Sequence, residues 1–146
     1  ILQGIRKVVT NTGLKGRWQI ISTEPLIVCD TGHNKEGLEY VLNQISRIPG
    51  NKLHMVIGFV SDKDLASVLP LFPGDAIYYF TKASVPRALN ENILMQNGAE
   101  YGLLGKSFPD VASALENAKS MASGDDVIFI GGSTFIVADA LKVVVN

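Results

Sequence analysis

The chain has 146 residues, of which 47% are hydrophobic and 18% are charged, and its formal net charge at pH 7 is −1. This length and apolar content predict one globular domain and exclude a disordered protein, and the scattered lysines and arginines argue against a nucleic-acid-binding surface. Every apolar run is shorter than the roughly 20 residues of a membrane span, and the single cysteine allows no internal disulfide, so we expect a cytoplasmic protein without membrane contacts.

Helical and strand patterns alternate along the chain. Apolar side chains recur at helical spacing over residues 1–11, and a turn-rich connector follows over 11–17. The predicted strands are 18–22, 25–30, 52–60, 75–83, 101–105 and 125–133. The predicted helices are 35–48, 62–72, 90–100, 107–122 and 134–145, with N-caps expected at Asp62, Asn90 and a Ser107–Asp110 capping box.

This alternation predicts an α/β fold, in which a mostly parallel, mixed-edge sheet carries helices on both faces. The strands VIFI and HMVIGFV are unbroken apolar runs, as is typical of strands that are buried on both sides. In open sheets of this kind the ligand site lies at the carboxyl ends of the strands. The residues that follow the strands are therefore the first candidates for function.

Four strand-to-helix junctions are polar or rich in glycine, and parallel topology would bring them to one edge of the sheet. They are Asp30–Asn34, Ser61–Asp64, Lys82–Arg87 and Gly131–Thr134. Because every strand-to-helix turn needs polar capping residues, each junction taken alone also fits a purely structural role. It is their convergence that predicts a binding site.

Asp30 and His33 each allow two interpretations. A carboxylate at a strand end can accept hydrogen bonds from ribose hydroxyls, or it can close a turn in its own loop. The imidazole of His33 can bind a phosphate or a carboxylate, or it can simply be exposed. The neighbouring Asn34 strengthens the functional interpretation of both residues.

The sequence Gly131-Gly132-Ser133-Thr134 ends a strand and begins a helix. Free backbone N–H groups at a helix start attract anions, and glycine lets a ligand approach closely, although an ordinary Ser/Thr cap fits as well. Residues 102–107, GLLGKS, lack the glycine spacing of a phosphate-binding P-loop. No GxGxxG motif follows a strand either, which weakens the case for a dinucleotide site.

Other reactive side chains have structural interpretations. His54 lies within an apolar strand and is expected to be a hydrogen-bonded core histidine, while Cys29 is expected to pack in the core. Two histidines so placed do not predict a metal site. Arg17, Lys63 and Arg87 fit either a ligand contact or a solvated surface charge.

The ordered set of these motifs resembles the C-terminal domain of folylpolyglutamate synthase/dihydrofolate synthase, in the ATP-dependent Mur ligase superfamily. That domain typically has a Gly-Arg pair, an apolar strand and then Asp-Gly-Ala-His-Asn-Pro, and this chain has GRWQII and later CDTGHNKEG. Asp30, His33 and Asn34 are kept, whereas residues 31, 32 and 35 differ. The segments DKD, PRAL and GGSTFIVADAL also occur in the family's order, so the resemblance covers essentially the whole chain.

The resemblance implies roles for individual residues. Arg17 matches an arginine that approaches the ATP phosphates, and Asp30 matches an aspartate that binds the nucleotide ribose, with Asn34 beside it. His33 matches a histidine near the incoming glutamate and the phosphates. Ser133 matches a serine implicated in glutamate binding.

The resemblance also implies a Rossmann-like domain over residues 17–146, preceded by a connector over residues 1–16. The family joins glutamate to a folate or dihydropteroate carboxylate through an acyl phosphate, using ATP and Mg²⁺. Its P-loop and Mg²⁺ ligands belong to an N-terminal ATPase domain that this chain lacks, so we expect the chain alone to be inactive and monomeric. The alternatives are the matching domain of a peptidoglycan Mur ligase, or a non-catalytic Rossmann-like binding module in which the strand-end residues are only caps.

Overall fold

The computed structural model describes residues 18–145. Its strands are β1 Gln19–Thr23, β2 Leu26–Cys29, β3 Leu53–Ile57, β4 Ile77–Phe80, β5 Gly105–Ser107 and β6 Val127–Gly131. Its helices are α1 Lys35–Ser46, α2 Leu65–Val68, α3 Glu91–Glu100, α4 Val111–Met121 and α5 Thr134–Val145, and a 3-10 turn covers Leu69–Leu71. The helix predicted over 1–11, the connector over 11–17 and Arg17 lie outside the described residues.

The described strands form one sheet in the order β1-β2-β6-β3-β4-β5. The pairs β2–β6, β6–β3, β3–β4 and β4–β5 are parallel, whereas β1 pairs with β2 antiparallel at the edge. This arrangement confirms the predicted mixed-edge parallel sheet. The central strand β6 is buried along its whole length, which explains why its sequence, VIFIG, carries no polar side chain.

Helices cover both faces of the sheet, and each face forms its own apolar core. On one face α1, α2 and α3 pack against side chains that include Met55, Ile57 and Phe129. On the other face α4 and α5 pack against side chains that include Val56, Ile128 and Ile130. Successive residues of β3 and β6 therefore point to opposite cores, as the two-residue period of a strand requires.

Helix α1 shows how the sequence sets a local element. Its buried residues Leu38, Val41, Leu42 and Ile45 recur at helical spacing and face the sheet. The helix starts at Asn34, whose side-chain oxygen accepts a hydrogen bond from the Gly37 N–H at 2.7 Å. A cap of this type satisfies a donor that the first helical turn leaves without a partner.

The predicted helix over 62–72 is much shorter in the structure, and Asp62 is not its N-cap. Helix α2 begins after Asp64 and passes into the 3-10 turn that contains Pro70. Proline lacks the N–H that would continue the α-helical hydrogen bonding, which explains the change of geometry. The Asp62 side chain is instead exposed and pairs with Arg87.

The prediction that Ser107 caps the fourth helix was also wrong. Ser107 ends β5, and its hydroxyl donates to the side-chain oxygen of Asn92 at 2.6 Å. The N-cap of α4 is Asp110, which accepts from the Ser113 N–H at 2.8 Å. The strand predicted over 101–105 accordingly lies two or more residues later, as β5. Within residues 18–145, none of the helices has the length and hydrophobicity to span a bilayer.

Candidate functional site

The four polar junctions lie at one edge of the sheet and contact one another. The Lys63 side chain, after β3, donates to the backbone carbonyl of His33, after β2, at 2.6 Å. The Ser61 N–H donates to the carbonyl of Arg87, after β4, at 2.7 Å. The ends of β3 and β6 are joined by the Gly58 N–H, which donates to the Gly131 carbonyl. The convergence predicted from the strand pattern is therefore present.

Asp30 lies at this edge, directly after β2, and its carboxylate binds two segments of backbone. One carboxylate oxygen accepts from the Gly32 N–H at 2.7 Å and the other from the Trp18 N–H at 2.9 Å. Only 9% of Asp30 is exposed. A carboxylate offers about four acceptor positions, and donors within residues 18–145 fill two of them. Asp30 thus holds the backbone of its own loop, and its carboxylate can accept further hydrogen bonds from a ligand.

A cavity of about 550 Å³ opens beside Asp30. The β2 loop, helix α1, Trp18 and the start of α5 line it, through Trp18, Asp30, Thr31, Gly32, His33, Asn34, Gly37, Tyr40, Gln44 and Thr134. The lining combines acceptors, hydroxyls and two large aromatic rings. Such a mixture suits a ligand that has both polar groups and a flat ring.

His33 and Asn34 are exposed on the rim of this cavity. The His33 Nδ1 lies 3.3 Å from the carbonyl of Thr31, which leaves Nε2 directed away from that bond and open to a ligand. The Asn34 side-chain oxygen is occupied as the cap of α1, so its amide N–H₂ remains the group with which it can reach a ligand.

The turn between β6 and α5 depends on Gly132. Gly132 has φ +105°, and a Cβ there would lie 2.5 Å from the carbonyl oxygen of Gly58. The Ser133 side chain is buried and caps α5, its oxygen accepting from the Ile136 N–H at 3.2 Å. The neighbouring Thr134, rather than Ser133, is exposed and lines the cavity.

A second cavity, of about 400 Å³, adjoins the first on the other side of His33. It lies between the loops after β2, β3 and β4, and three cations line it: Lys35, Lys63 and Arg87. The Arg87 guanidinium contacts Asp62 at 3.3 Å, but both side chains are largely exposed, so this pair adds little stability. The carboxylates of Asp62 and Asp64 line it too, so the three cations exceed the anions by one and leave a small net positive charge.

Sequence reasoning did not identify Trp18, Tyr40 and Gln44 as parts of the site, and it included Thr134 only as the last residue of the Gly131–Thr134 junction. One signal was available, because Gly37, Tyr40 and Gln44 follow at intervals of three and four and so share one face of α1. The position of Trp18 had no such signal, since it depends on the tertiary hydrogen bond to Asp30.

His54 is a core histidine, as predicted, and lies away from the cavities beside Asp30. Its Nε2 contacts the carboxylate of Asp126 and its Nδ1 contacts the hydroxyl of Tyr79, both at 2.8 Å. Cys29 is buried, and burial raises the pKa of its thiol far above the usual range, with the Asp30 charge adding to the effect. A thiol in this state is a poor nucleophile.

A third cavity, of about 700 Å³, is larger than both of these and lies at the opposite edge of the sheet. The end of α1 and the residues just before β3 line it, among them Ile45, Asn51 and Lys52. The catalytic loops of open α/β sheets gather at the carboxyl edge instead, so size alone does not make this cavity the candidate site. Within residues 18–145, no three or more His, Cys, Asp or Glu side chains cluster in a way that could hold a metal ion.

Known proteins of one family are similar to this chain in sequence and in fold. Residues 16–134 match the family described as "Mur ligase, glutamate ligase domain". The dihydrofolate synthase/folylpolyglutamate synthase of Escherichia coli is 30% identical over 142 residues, which are 96% of this chain and 33% of that protein. A probable bifunctional folylpolyglutamate synthase/dihydropteroate synthase of Haloferax volcanii is 29% identical over 143 residues, which are 94% of this chain and 17% of that protein.

Solved structures of related enzymes have a similar fold. The structure of E. coli FolC in complex with DHPP and ADP has a TM-score of 0.80 and 30% identity, over 88% of this chain and 31% of that one. The Yersinia pestis folylpolyglutamate synthase/dihydrofolate synthase with AMPPNP and Mn ion has a TM-score of 0.81 and 28% identity, over 93% and 32%. The chain spans about a third of the length of the E. coli relative. It belongs to the Mur ligase family, in which it forms a glutamate ligase domain similar to that of the folylpolyglutamate and dihydrofolate synthases.

Proposed function

We propose that this chain is the C-terminal domain of an ATP-dependent ligase that joins glutamate to a folate or dihydropteroate carboxylate through an acyl phosphate. Residues 17–146 form the domain and residues 1–16 connect it to an N-terminal ATPase domain. The protein works as a monomer in the cytoplasm. The 146-residue chain alone has no amide-forming activity.

One observation carries the proposal. The Asp30 carboxylate, with acceptor capacity to spare, faces the same cavity as His33, Asn34 and Thr134. The similar E. coli enzyme was solved with ADP and DHPP, so a domain of this shape occurs in a protein that binds a nucleotide and a pterin compound. The curated relatives, which are folate enzymes, favour this substrate over a peptidoglycan precursor.

In this proposal each cavity receives one part of the reacting assembly. Asp30 accepts hydrogen bonds from the ribose hydroxyls, and the amide of Asn34 adds a donor beside it. Arg17 stabilises negative charge on the transferring phosphoryl group. His33 lies between the two cavities and contacts the incoming glutamate near the phosphates.

We place the anionic glutamate in the second cavity, where the cations Lys35, Lys63 and Arg87 outnumber the two carboxylates of Asp62 and Asp64. We propose that the Ser133 hydroxyl donates a hydrogen bond to the glutamate. Its proton remains available for donation while its oxygen caps α5. Closure of the two domains would bring ATP, folate and glutamate together away from water.

We propose that the divalent metal ion of the reaction binds outside this domain. The Yersinia enzyme was solved with Mn ion, and we propose Mg²⁺ as the natural ion for this protein. Because the described residues of this chain supply no cluster of metal ligands, we assign the ion to the N-terminal domain. We therefore derive no step of the reaction in this chain from the metal.

The test is ligase activity of the full-length protein that carries this domain. ADP release would be measured with ATP, glutamate and either dihydropteroate or tetrahydrofolate, and UDP-linked muramoyl peptides would serve as the rival substrate. We expect turnover with at least one folate substrate, and a loss of about 100-fold or more in His33→Ala, the scale of removing one electrostatic contact to a transition state.

The control variant is Lys119→Ala. Lys119 is exposed in the last turn of α4, on the face of the sheet opposite α1, so this variant should keep wild-type activity. Turnover with the muramoyl peptide alone would assign the protein to the peptidoglycan branch. No ATP-dependent turnover with any of these acceptors would favour the non-catalytic binding module.

A further inference from the structure

We propose that Lys63 is a positioning residue for His33, an inference that rests on the proposed function. The Lys63 ammonium binds the backbone carbonyl of His33 and so fixes the loop after β2 against the loop after β3. This contact holds the His33 imidazole between the two cavities, where the proposed reaction needs it.

The contact joins two junctions that are distant in sequence. The Lys63 Nζ donates to the His33 carbonyl at 2.6 Å, across 30 positions of the chain. Lys63 is half-buried, and within residues 18–145 it forms no ion pair with the aspartates on either side of it, Asp62 and Asp64. Its ammonium therefore binds a carbonyl of another loop in preference to two neighbouring carboxylates. A hydrogen bond from a charged donor is stronger than one between neutral groups, which suits it to hold a loop in place.

The loop that carries Lys63 is itself fixed to the rest of the domain. The Ser61 N–H donates to the Arg87 carbonyl at 2.7 Å. The Leu89 N–H donates to the carbonyl of the buried Phe59 at 2.8 Å. Lys63 therefore extends from a support that is bonded to the loop after β4, and it can hold a second loop in place.

Neighbouring contacts fix the backbone on both sides of His33 and leave its carbonyl to Lys63. Before it, the Gly32 N–H donates to the Asp30 carboxylate at 2.7 Å, and after it Asn34 is the N-cap of α1. The first carbonyl that the helix uses is that of Asn34, so the His33 carbonyl lies outside the helical hydrogen bonding. The bond from Lys63 then sets the orientation of the peptide group that follows the imidazole.

Loss of this contact should slow the reaction itself. His33 lines both cavities, so a small displacement of its loop moves the imidazole relative to both sets of bound groups. A displacement of about 1 Å near a reacting centre can lower the rate by as much as about 100-fold. A lysine that only attracted glutamate would instead affect mainly the KM for glutamate.

The test compares two methionine variants of the full-length protein, Lys63→Met and Lys35→Met. Both remove one positive charge from the lining of the second cavity, but among residues 18–145 the exposed Lys35 makes no hydrogen bond to His33. Lys35→Met therefore measures what the loss of charge does to kcat and to the KM for glutamate. We expect the kcat of Lys63→Met to be about tenfold below that of Lys35→Met at saturating substrates. Lys63→Arg should recover most of this loss, because arginine keeps charged N–H donors.

A double-variant cycle links the effect to His33. In a His33→Ala background, Lys63→Met should cause no further loss of kcat, because no imidazole is left to position. A loss of about tenfold that persists in that background would overturn the inference. A Lys63→Met variant that changes only the KM for glutamate would also overturn it, and would make Lys63 a glutamate ligand alone.

Folding of each variant is checked by thermal unfolding. If Lys63→Met does not fold, Lys63→Ala replaces it, since alanine also lacks the donor and adds less apolar surface. Absence of ATP-dependent turnover in the wild type would overturn the proposed function, and this inference with it. Normal turnover by the wild type, with equal kcat values in Lys63→Met and Lys35→Met, would overturn only the positioning role of Lys63.

Discussion

Two aspartates at opposite edges of the sheet show how a structural carboxylate differs from one that can bind a ligand. Asp126 precedes β6 at the amino edge, and Asp30 follows β2 at the carboxyl edge. Asp126 accepts four hydrogen bonds, from the Lys52 N–H, the Ser123 N–H and hydroxyl, and His54 Nε2. From the described residues Asp30 accepts two, both from backbone N–H groups.

The two aspartates differ in how many of their acceptor positions are filled, rather than in how deeply they are buried. Both carboxylates are at most 9% exposed, but the acceptor positions of Asp126 are all used. Donors among residues 18–145 fill about half of the acceptor positions of Asp30, and a cavity lies beside it. A carboxylate with every acceptor position filled has nothing left to offer a ligand. Counting the bonds of a buried acid is therefore more informative than noting that it is buried.

The network around Asp126 extends to Tyr79. All its hydrogen bonds are satisfied when His54 carries its proton on Nε2, donating to Asp126, and accepts at Nδ1 from the Tyr79 hydroxyl. The hydrogen bond from His54 is the largest of the effects that lower the pKa of Asp126 to about 2. Burial, and then the Asp126 charge, raises the pKa of Tyr79.

The comparison predicts its largest effect for Asp126→Ala. The change leaves the buried His54 Nε2 and the partly buried Lys52 N–H without their acceptor, and breaking such a network typically costs about 3–5 kcal/mol. We expect a loss of about 3 kcal/mol in the free energy of unfolding by urea. The neighbouring Asp125→Ala is the control and should cost less than about 1 kcal/mol, because Asp125 is exposed. Equal losses in the two variants would break the comparison.

The second prediction concerns the stability of the protein at low pH. The folded pKa of Asp126, about 2, lies below the value of about 3.9 for an unfolded aspartate. The stabilisation is therefore fully present above about pH 4 and is lost as the pH falls toward 2. It should amount to about 2–3 kcal/mol, on the scale of 1.36 kcal/mol per pKa unit. Asp126→Asn should lack this part of the slope when unfolding is followed from pH 5 to pH 2, and identical slopes would contradict it.

A smaller effect is expected at Tyr79. Tyr79→Phe removes the hydroxyl that donates to His54, and leaves Nδ1 buried without that partner. The expected cost is about 1.5 kcal/mol in the free energy of unfolding. Tyr101→Phe, at an exposed position, is the control and should be neutral. A neutral Tyr79→Phe would mean that the network ends at His54.

The smallest effect on stability should come from Asp30→Asn. The asparagine oxygen can keep one of the two backbone hydrogen bonds, so the loss should be about 1 kcal/mol, well below that of Asp126→Ala. The same variant in the full-length protein should bind ATP about tenfold more weakly by calorimetry, since an amide is a poorer acceptor for the ribose hydroxyls. A large loss of stability with unchanged ATP affinity would make Asp30 a purely structural acid, like Asp126.

Much of the fold could be predicted because the signals are local and repeated. The apolar run of β6 and the helical spacing of Leu38, Val41 and Leu42 each identify an element without reference to the rest of the chain. The errors fall where tertiary contacts compete with local preference. Ser107 is a good cap by residue type, but it pairs with β4 as part of an edge strand instead.

The site could be predicted only in part, for the same reason. Asp30, His33 and Asn34 are adjacent in sequence, and parallel topology was enough to bring their loop to the edge occupied by the β6 turn. The sequence did not indicate that Thr134 would be exposed while Ser133 is buried beneath the turn. That choice depends on the positive φ of Gly132 and on its close approach to Gly58.

The sequence by itself determined the alternation of strands and helices, the parallel sheet and the edge at which polar side chains would collect. These properties follow from hydrophobic period and chain direction, which neighbouring residues already encode. Only the tertiary structure decided which acid is saturated and which is open. Half of the hydrogen bonds described for these two acids come from residues that are distant in the chain, namely Lys52 and His54 to Asp126 and Trp18 to Asp30, and no local pattern records which distant donors will meet them.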